Sequence, residues 1–576
     1  MRVLFSVVPV IQVWLMKQLI DLLSASLSLA GSHAGTLDGT LLILFAVLYL
    51  LTLVLPESLQ PVEVSLNAAI GERVVAEIDR RVMGAAARLV DLQRIEEPSF
   101  HDEVKLIQQC AHDVAVLLPN LLSGPASILT LGGLLLLLGQ IHQALPLVLL
   151  LVGVPYLRAR HRMESEKYHS MAEFTRVARE MEYYIRLSLE TTVAHEVRVF
   201  GLGDFLLQRF RELRGKAMAE VQRLRVRECV QAQVFSGLMA LILAGAFLYT
   251  VLQVSTGRLQ IGDVALYLGA VGQAQEAVLG FGWWFAYVSR EQLQMRGLFD
   301  FLDNALPAIA LPRDEQGAPA PARLKEGVEL KEVHFHYPGR SQDAPVLQGV
   351  NARLPAGKVT ALVGVNGAGK STLVKLLTRM YDPTSGQILL DGSPLAHYDL
   401  ASLRKRMAVV YQDFARFALT LRENIAVGDI ETEPDMQRIE RAARRSGADE
   451  IAAKLPEGYA TELTRRFEGG VELSGGEWQK VALARSFLRD AALVILDEPA
   501  SALDADAEYQ LFQHFHELSA GKTTLLISHR LSTVRMADQI LVLDGGRIVE
   551  SGSHADLIAR GGHYASLYEM QAGRYR

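Results

Sequence analysis

Long apolar runs crowd the first half of the chain, whereas the second half alternates short apolar strands with glycine-rich and charged stretches. Six runs meet the requirement of about 20 mostly apolar residues for crossing a bilayer, beginning near Val3, Leu41, Val114, Ala144, Val234 and Val264. The first opens like a signal peptide, with Arg2 ahead of an apolar run. Pro9 interrupts that run, Lys17 and Asp21 follow at helical i,i+4 spacing, and no small-residue cleavage site is convincing. It reads as a retained helix. Because it starts abruptly at Met1, a short leading segment is expected to be absent.

The connecting loops set the orientation. Arg73, Arg80, Arg81, Arg88, Arg94 and Lys105 lie between the second and third runs, and Arg158, Arg160, Arg162, Lys167 and further basic residues up to Arg227 between the fourth and fifth. The remaining connections, 24–39, 139–143 and 253–262, carry only Arg258. By the positive-inside rule, the long basic loops and both chain ends are cytoplasmic. Around Glu180–Phe200 and Phe205–Val230, apolar residues recur at helical spacing, as in Phe205, Leu206, Phe210, Leu213 and Met218. The membrane helices are therefore expected to continue beyond the lipid and turn back near Glu97–Asp102 and Gly201–Asp204. Such a hairpin can act as a lever between a soluble domain and the membrane. Glu276, in the last run, is a candidate for lining a path, with a polar helix–helix contact as the plainer reading. Phe281, Trp283, Trp284, Phe285 and Tyr287 read as packing or an interfacial belt.

Composition narrows the function classes. The 576 residues exceed one hydrophobic core, and a mean of 50% hydrophobic residues conceals the contrast between the halves. The net charge of −6 offers no basic face for nucleic acid. Cys110 and Cys229, far apart and without metal-ligand spacing, read as buried thiols in a reducing compartment. Pro307, Pro312, Gly317, Pro319 and Pro321 mark a linker. Domain limits follow: a membrane domain over residues 1–305, a linker over 306–327 and a soluble domain over 328–576.

The soluble half carries the chemistry. Val328–Phe335 alternates as a half-buried strand does. Lys358–Val363 reads as a buried strand running into Gly364-Val365-Asn366-Gly367-Ala368-Gly369-Lys370-Ser371-Thr372, a phosphate-cradling loop in its strand–loop–helix setting. Its glycines let backbone N–H groups close around phosphates, Lys370 can reach the β- and γ-phosphates, and Ser371 can ligate Mg²⁺. Leu493–Leu496 is an apolar strand ending in Asp497, placed to hold Mg²⁺, and Glu498, placed to polarise an attacking water. Leu473-Ser474-Gly475-Gly476-Glu477 opens a second helix in an anion-binding arrangement. A chain with its own phosphate loop needs a different use for that second one.

With this segment the chain resembles the ATP-binding cassette (ABC) exporters, whose signature motif it matches. In that family, two cassettes sandwich ATP, so the resemblance implies that Ser474, Gly475 and Gly476 touch the γ-phosphate of ATP held by a partner. Tyr337 matches the aromatic that stacks on adenine, and Gln412 the glutamine that senses Mg²⁺ and meets the membrane-domain loops. Ser501-Ala502-Leu503-Asp504 matches the segment bridging the two sites, and His529 the histidine that contacts the γ-phosphate. The tips near Glu97–Asp102 and Val199–Phe205 look like the coupling helices that dock on the cassette. The segment 465–472 before the signature and Glu96–Asp102 resemble the subgroup exporting peptides such as lantibiotics. The elbow helix that often precedes the first span is expected to be missing, and no processing peptidase is expected.

The expected fold is thus a polytopic α-helical membrane domain of six transmembrane helices with long cytoplasmic helical extensions, followed by an α/β P-loop ATP-binding cassette. The expected activity is ATP- and Mg²⁺-dependent export of a hydrophobic or amphipathic peptide, lipid or drug-like molecule across the cytoplasmic membrane. The expected partners are membrane lipid, the exported molecule and a second half-transporter, a homodimer being favoured because no catalytic position is degraded. A lipid flippase shares all these motifs. A soluble ABC ATPase acting on ribosomes or DNA is excluded by the apolar runs. An ABC-type channel or regulator would often carry degraded hydrolytic residues.

Overall fold

The structure is a computed structural model and describes residues 5–29, 39–97, 100, 103–104, 107, 120–190, 193–304, 309, 311, 317–338, 345–499, 519, 521–528 and 530–572. The chain divides into two compact units, one of Met1–Ala86 with His101–Ala305, the other of Ala87–Phe100 with Leu306–Arg576.

The first unit is helical. Its long elements are α1 (Val8–Leu29), α2 (Gly39–Arg88), α3 (Ser123–Ile141), α4 (Ala144–Leu189), a short α5 (Ala194–Val199), α6 (Gly203–Ser255) and α7 (Ile261–Asn304). Among the described residues, five of these (α1, α2, α3, α4 and α6) are long and apolar enough to cross a bilayer. The sixth, α7, is diluted by Gln273, Gln275 and Glu276, yet it packs against α1, α3, α4 and α6. Leu134, Leu138, Leu266 and Ala270 make the fully buried seam between α3 and α7. By contrast, Ile43, Val47, Leu51 and Val54 of α2 are exposed.

The two inter-helix turns, near residues 88–102 and 190–204, differ from their sequence reading in detail. The helix expected through Glu180–Phe200 stops at Leu189; Glu190 is extended, and α5 forms separately before Gly201, whose φ of +62° supplies the left-handed turn into α6. At the first turn, α2 ends at Arg88, and Pro98, Ser99, His101 and Asp102 lie outside the described residues. The run placed near Val114 is described only from Asn120 onward.

Several polar groups also settle differently. Lys17 does not pair along its own helix; its ammonium meets Asp263 of α7 at 2.5 Å, while Asp21 accepts the Gly262 N–H at 2.9 Å. Glu276 is exposed. Arg160 lies over the Trp283 ring at 3.9 Å and pairs with Glu228 at 2.8 Å, and Trp284 stacks on Phe281. Cys229 corrects an expectation: it is exposed rather than buried, because it sits on the open face of α6 between Glu228 and Val230. Cys110 lies outside the described residues.

The second unit is built on two sheets. The strands are β1 (Gly327–Phe335), β2 (Leu347–Pro355), β3 (Val359–Val363), β4 (Ser385–Leu390), β5 (Ser393–Pro394), β6 (Met407–Val410), β7 (Leu493–Asp497), β8 (Thr523–Ile527), β9 (Gln539–Asp544) and β10 (Arg547–Gly552). The order β2-β1-β4-β5 is antiparallel throughout. The larger sheet, β10-β9-β3-β8-β7-β6, is parallel except for its terminal β9–β10 pair. Parallel strands covered on both faces need near-continuous apolar runs, and all five residues of β7 and β8 are buried. In β1 the buried set shifts from Val328 and Leu330 to Val333 and Phe335. A bulge there, with Glu332 at φ +48°, breaks the strict alternation that the sequence suggests.

One core joins the sheets through Leu330, Val350, Leu362, Leu373 and Ile495. A second, around the fully buried Trp478, holds the helical layer that contains Leu421, Ile439 and Ile451. The turn formed by residues 87–100 belongs to this unit. Leu92 packs on the first core, its N–H donates to the Met380 carbonyl at 3.1 Å, and Arg404 donates to the Val90 carbonyl at 2.7 Å.

Candidate nucleotide site

The carboxyl ends of β3, β6 and β7 converge on one crevice, the position where open α/β sheets bind ligands. From β3 the chain enters the loop 364–369 and then α8 (Lys370–Leu377). Gly369, at φ +107°, precedes the helix, and no side chain caps its first turn. The free N–H groups of that turn therefore face the loop, an arrangement suited to an anion. Space demands the glycines too. A Cβ at Gly364 would lie 2.2 Å from the Leu543 carbonyl oxygen, and one at Gly369 would lie 2.7 Å from the Leu347 side chain. A Cβ at Gly367 would meet nothing within 4 Å, so there the left-handed φ of +82°, not space, favours glycine.

Lys370 is buried and folds back onto its own loop, donating to the carbonyls of Gly364 at 2.9 Å and Val365 at 3.1 Å. Burial pushes its ammonium down, opposed by the nearby Glu498 and Asp497 carboxylates. Asp497 closes β7 and is also buried. Its carboxyl is held above the usual range, first by burial and also by Glu498, although Ser371 donates a hydrogen bond to it. The Ser371–Asp497 pair with an open phosphate loop fits Mg²⁺, which takes one or two protein oxygens and completes its shell with phosphate and water.

Glu498 follows with φ +50°, a left-handed backbone uncommon outside glycine, and its N–H donates to the Ile527 carbonyl at 2.9 Å. Gln412, just beyond β6, donates from Nε2 to Glu498 Oε2 at 3.3 Å. The structure thus brings Lys370, Ser371, Gln412, Asp497 and Glu498 together. Tyr337 stands at the edge, its hydroxyl 3.0 Å from Thr372 Oγ1.

Ser474 is placed elsewhere. It is exposed and is the N-cap of the helix Gly475–Leu488, sharing a capping box with Glu477. Among the described residues, no hydrogen bond or ion pair joins 474–476 to 364–372. The expected Asp504 and His529 lie outside the described residues. One residue that the sequence reading passed over is Gln479, which is buried and donates to the carbonyl of Pro499, directly after Glu498. Its helical position among other polar residues gave no signal of that contact.

Comparison with known proteins agrees with this geometry. Residues 347–501 match the ABC transporter family. A protein of Aromatoleum aromaticum described as an ATP-dependent lipid A-core flippase is 35% identical over 430 residues, covering 74% of this chain and 68% of the relative. A protein of the same description from Chromohalobacter salexigens is 34% identical over 426 residues, covering 74% and 70%. The solved structure of a bacterial Atm1-family ABC exporter with ATP bound superposes with a TM-score of 0.81 at 26% identity, covering 99% of this chain and 98% of the other. The chain belongs to the ABC transporter family as an exporter half-transporter, a helical membrane domain fused to a single ATP-binding cassette that hydrolyses ATP to drive transport.

Proposed function

We propose that this half-transporter is an ATP-driven exporter of an amphipathic molecule across the cytoplasmic membrane, and specifically that it moves a lipid or lipid-linked molecule between leaflets. The observation that carries the transport reading is the convergence of Lys370, Asp497, Glu498 and Gln412 in a chain with bilayer-length apolar helices. The lipid reading is supported by relatives described as lipid A-core flippases and takes precedence over the resemblance to peptide exporters.

In this reading, Tyr337 stacks on adenine and residues 364–372 wrap the phosphates. Lys370 exchanges its two loop carbonyls for β- and γ-phosphate oxygens. Ser371, Asp497 and Gln412 hold or sense Mg²⁺, which neutralises phosphate charge when bound. Glu498, oriented by Gln412, accepts a proton from the attacking water. His529 contacts the γ-phosphate and Asp504 bridges the two sites.

Ser474, Gly475 and Gly476 complete the site of a second copy, so the working unit is a dimer, with homodimerisation favoured by the full set of hydrolytic residues. Val199 and Phe200, at the second tip, are 79% and 69% exposed, apolar surface of the kind that a partner covers. Cassettes and both chain ends face the cytoplasm, from the basic loops. ATP binding closes the cassettes and shifts the population toward the outward-facing state.

A leaflet-exchange assay with fluorescent lipid in proteoliposomes tests the proposal. ATP-dependent exchange that is lost in Glu498→Gln supports it. ATP hydrolysis without any lipid exchange would overturn the lipid assignment.

A further inference from the structure

Glu96, on the cytoplasmic turn 87–100, accepts two hydrogen bonds from the cassette: from the Tyr381 hydroxyl at 2.5 Å and from Lys375 Nζ at 2.9 Å. Both donors also touch Tyr337. The Tyr381 ring meets the Tyr337 ring edge-on, with centroids 5.5 Å apart and planes at 89°. Phe335 closes the triangle at 5.0 Å from Tyr337 and 5.4 Å from Tyr381. Lys375 Nζ lies over the Tyr337 ring at 5.3 Å. Lys375 belongs to α8, the helix that opens at the phosphate loop.

We infer that Glu96 is a positioning residue for nucleotide recognition: by holding Tyr381 and Lys375, it fixes the plane of the Tyr337 ring, so the turn and the base platform are mechanically one piece. The inference rests on reading Tyr337 as the platform for adenine. Edge-on rings and a cation over a ring face have definite preferred geometries, so displacing either partner tilts the platform. Attachment of the turn does not require Glu96. Leu92 in the core, its N–H bond to Met380 and the Arg404 bond to Val90 already secure it. Burial pushes the Glu96 carboxyl up, but the hydrogen bonds from Tyr381 and Lys375 outweigh it and hold the group below its ordinary range, so it stays an acceptor at neutral pH.

The consequence is reciprocal by thermodynamic linkage. A base that settles on Tyr337 favours one position of the turn, and a turn displaced by its membrane helices weakens the platform. The turn would then report which nucleotide is bound as well as transmit closure.

The test compares wild type, Glu96→Gln, Tyr337→Ala and the double variant as full chains in lipid nanodiscs, reading KM and kcat for ATP and the thermal midpoint without nucleotide. Loss of one such ring or charge contact is expected to raise KM about three- to ten-fold in Glu96→Gln, with kcat and the nucleotide-free midpoint little changed. In the Tyr337→Ala background, Glu96→Gln should add nothing further to KM. Additive KM effects, or a lowered midpoint with KM unchanged, would reduce Glu96 to an anchor and overturn the inference. If Tyr337→Ala raises KM while Glu96→Gln does not, the platform stands and the link falls. If Tyr337→Ala leaves KM unchanged, the platform reading falls and this inference with it.

Discussion

Gln412 donates to the carboxylate of Glu498 across 3.3 Å, so two strand ends separated by 86 positions meet at one carboxylate, the proposed general base. That contact aims the carboxylate without neutralising it. Glu498→Gln keeps the shape and removes the base. ATP turnover should fall by at least about 10²-fold, the scale of a lost general base, while ATP-bound dimers accumulate. Phosphate release and size-exclusion with trapped nucleotide read both effects, and full activity in the variant would exclude Glu498 as the base.

Separation of Ser474 from the phosphate loop predicts a complementation pattern. A mixed dimer of Lys370→Ala and Ser474→Arg chains keeps one wholly intact site, because both lesions fall in the same composite site. A dimer of wild type with the doubly substituted chain has a lesion in each site. ATPase rates of tandem-purified mixed dimers should therefore be higher for the first pairing. The reverse order would mean that each chain completes its own site.

Asp497 links stability to pH. Its carboxyl is held above the ordinary value chiefly by burial, so its contribution to stability is fully present below the unfolded value and is lost as pH rises through the folded one. At neutral pH the buried charge is a net cost without Mg²⁺. Asp497→Asn should raise the nucleotide-free unfolding midpoint by about 2–4 °C, the shift for about 1 kcal/mol in a domain of this size. The advantage should shrink as pH falls through the raised folded-state value, below which the wild-type carboxyl is itself neutral. Magnesium-dependent turnover should collapse in the same variant. An unchanged midpoint at neutral pH would show that Ser371 and Lys370 already compensate the charge.

These predictions draw on regions of the molecule that differ in how legible they were. The phosphate loop and the Asp497–Glu498 pair could be read because each is a contiguous motif attached to a buried strand. The membrane helices could be read because apolar length is a local property. The Lys17–Asp263 pair could not be read, because spacing along one helix says nothing of Asp263, 246 positions away. Gln479 with Pro499 and Glu96 with Tyr381 are of the same kind: the side chains meet only once the fold is formed. The exposure of Cys229 escaped notice because a membrane helix turns apolar and polar faces outward alike when it stands in a single chain.

The Lys17–Asp263 pair makes a prediction of its own. The two side chains are 20% and 10% exposed, so removing one partner strands a largely buried charge. Asp263→Asn or Lys17→Met alone should destabilise by about 3–5 kcal/mol, while the double substitution recovers most of the loss. Thermal unfolding in detergent checks this, and equal losses in single and double variants would show that the pair has no mutual dependence.

The left-handed backbone at Glu498 sets foldability against the proposed chemistry at a single position. Glycine or asparagine would occupy that conformation at less strain, so a substitution there can relax the backbone while removing the carboxylate that the proposed hydrolysis needs.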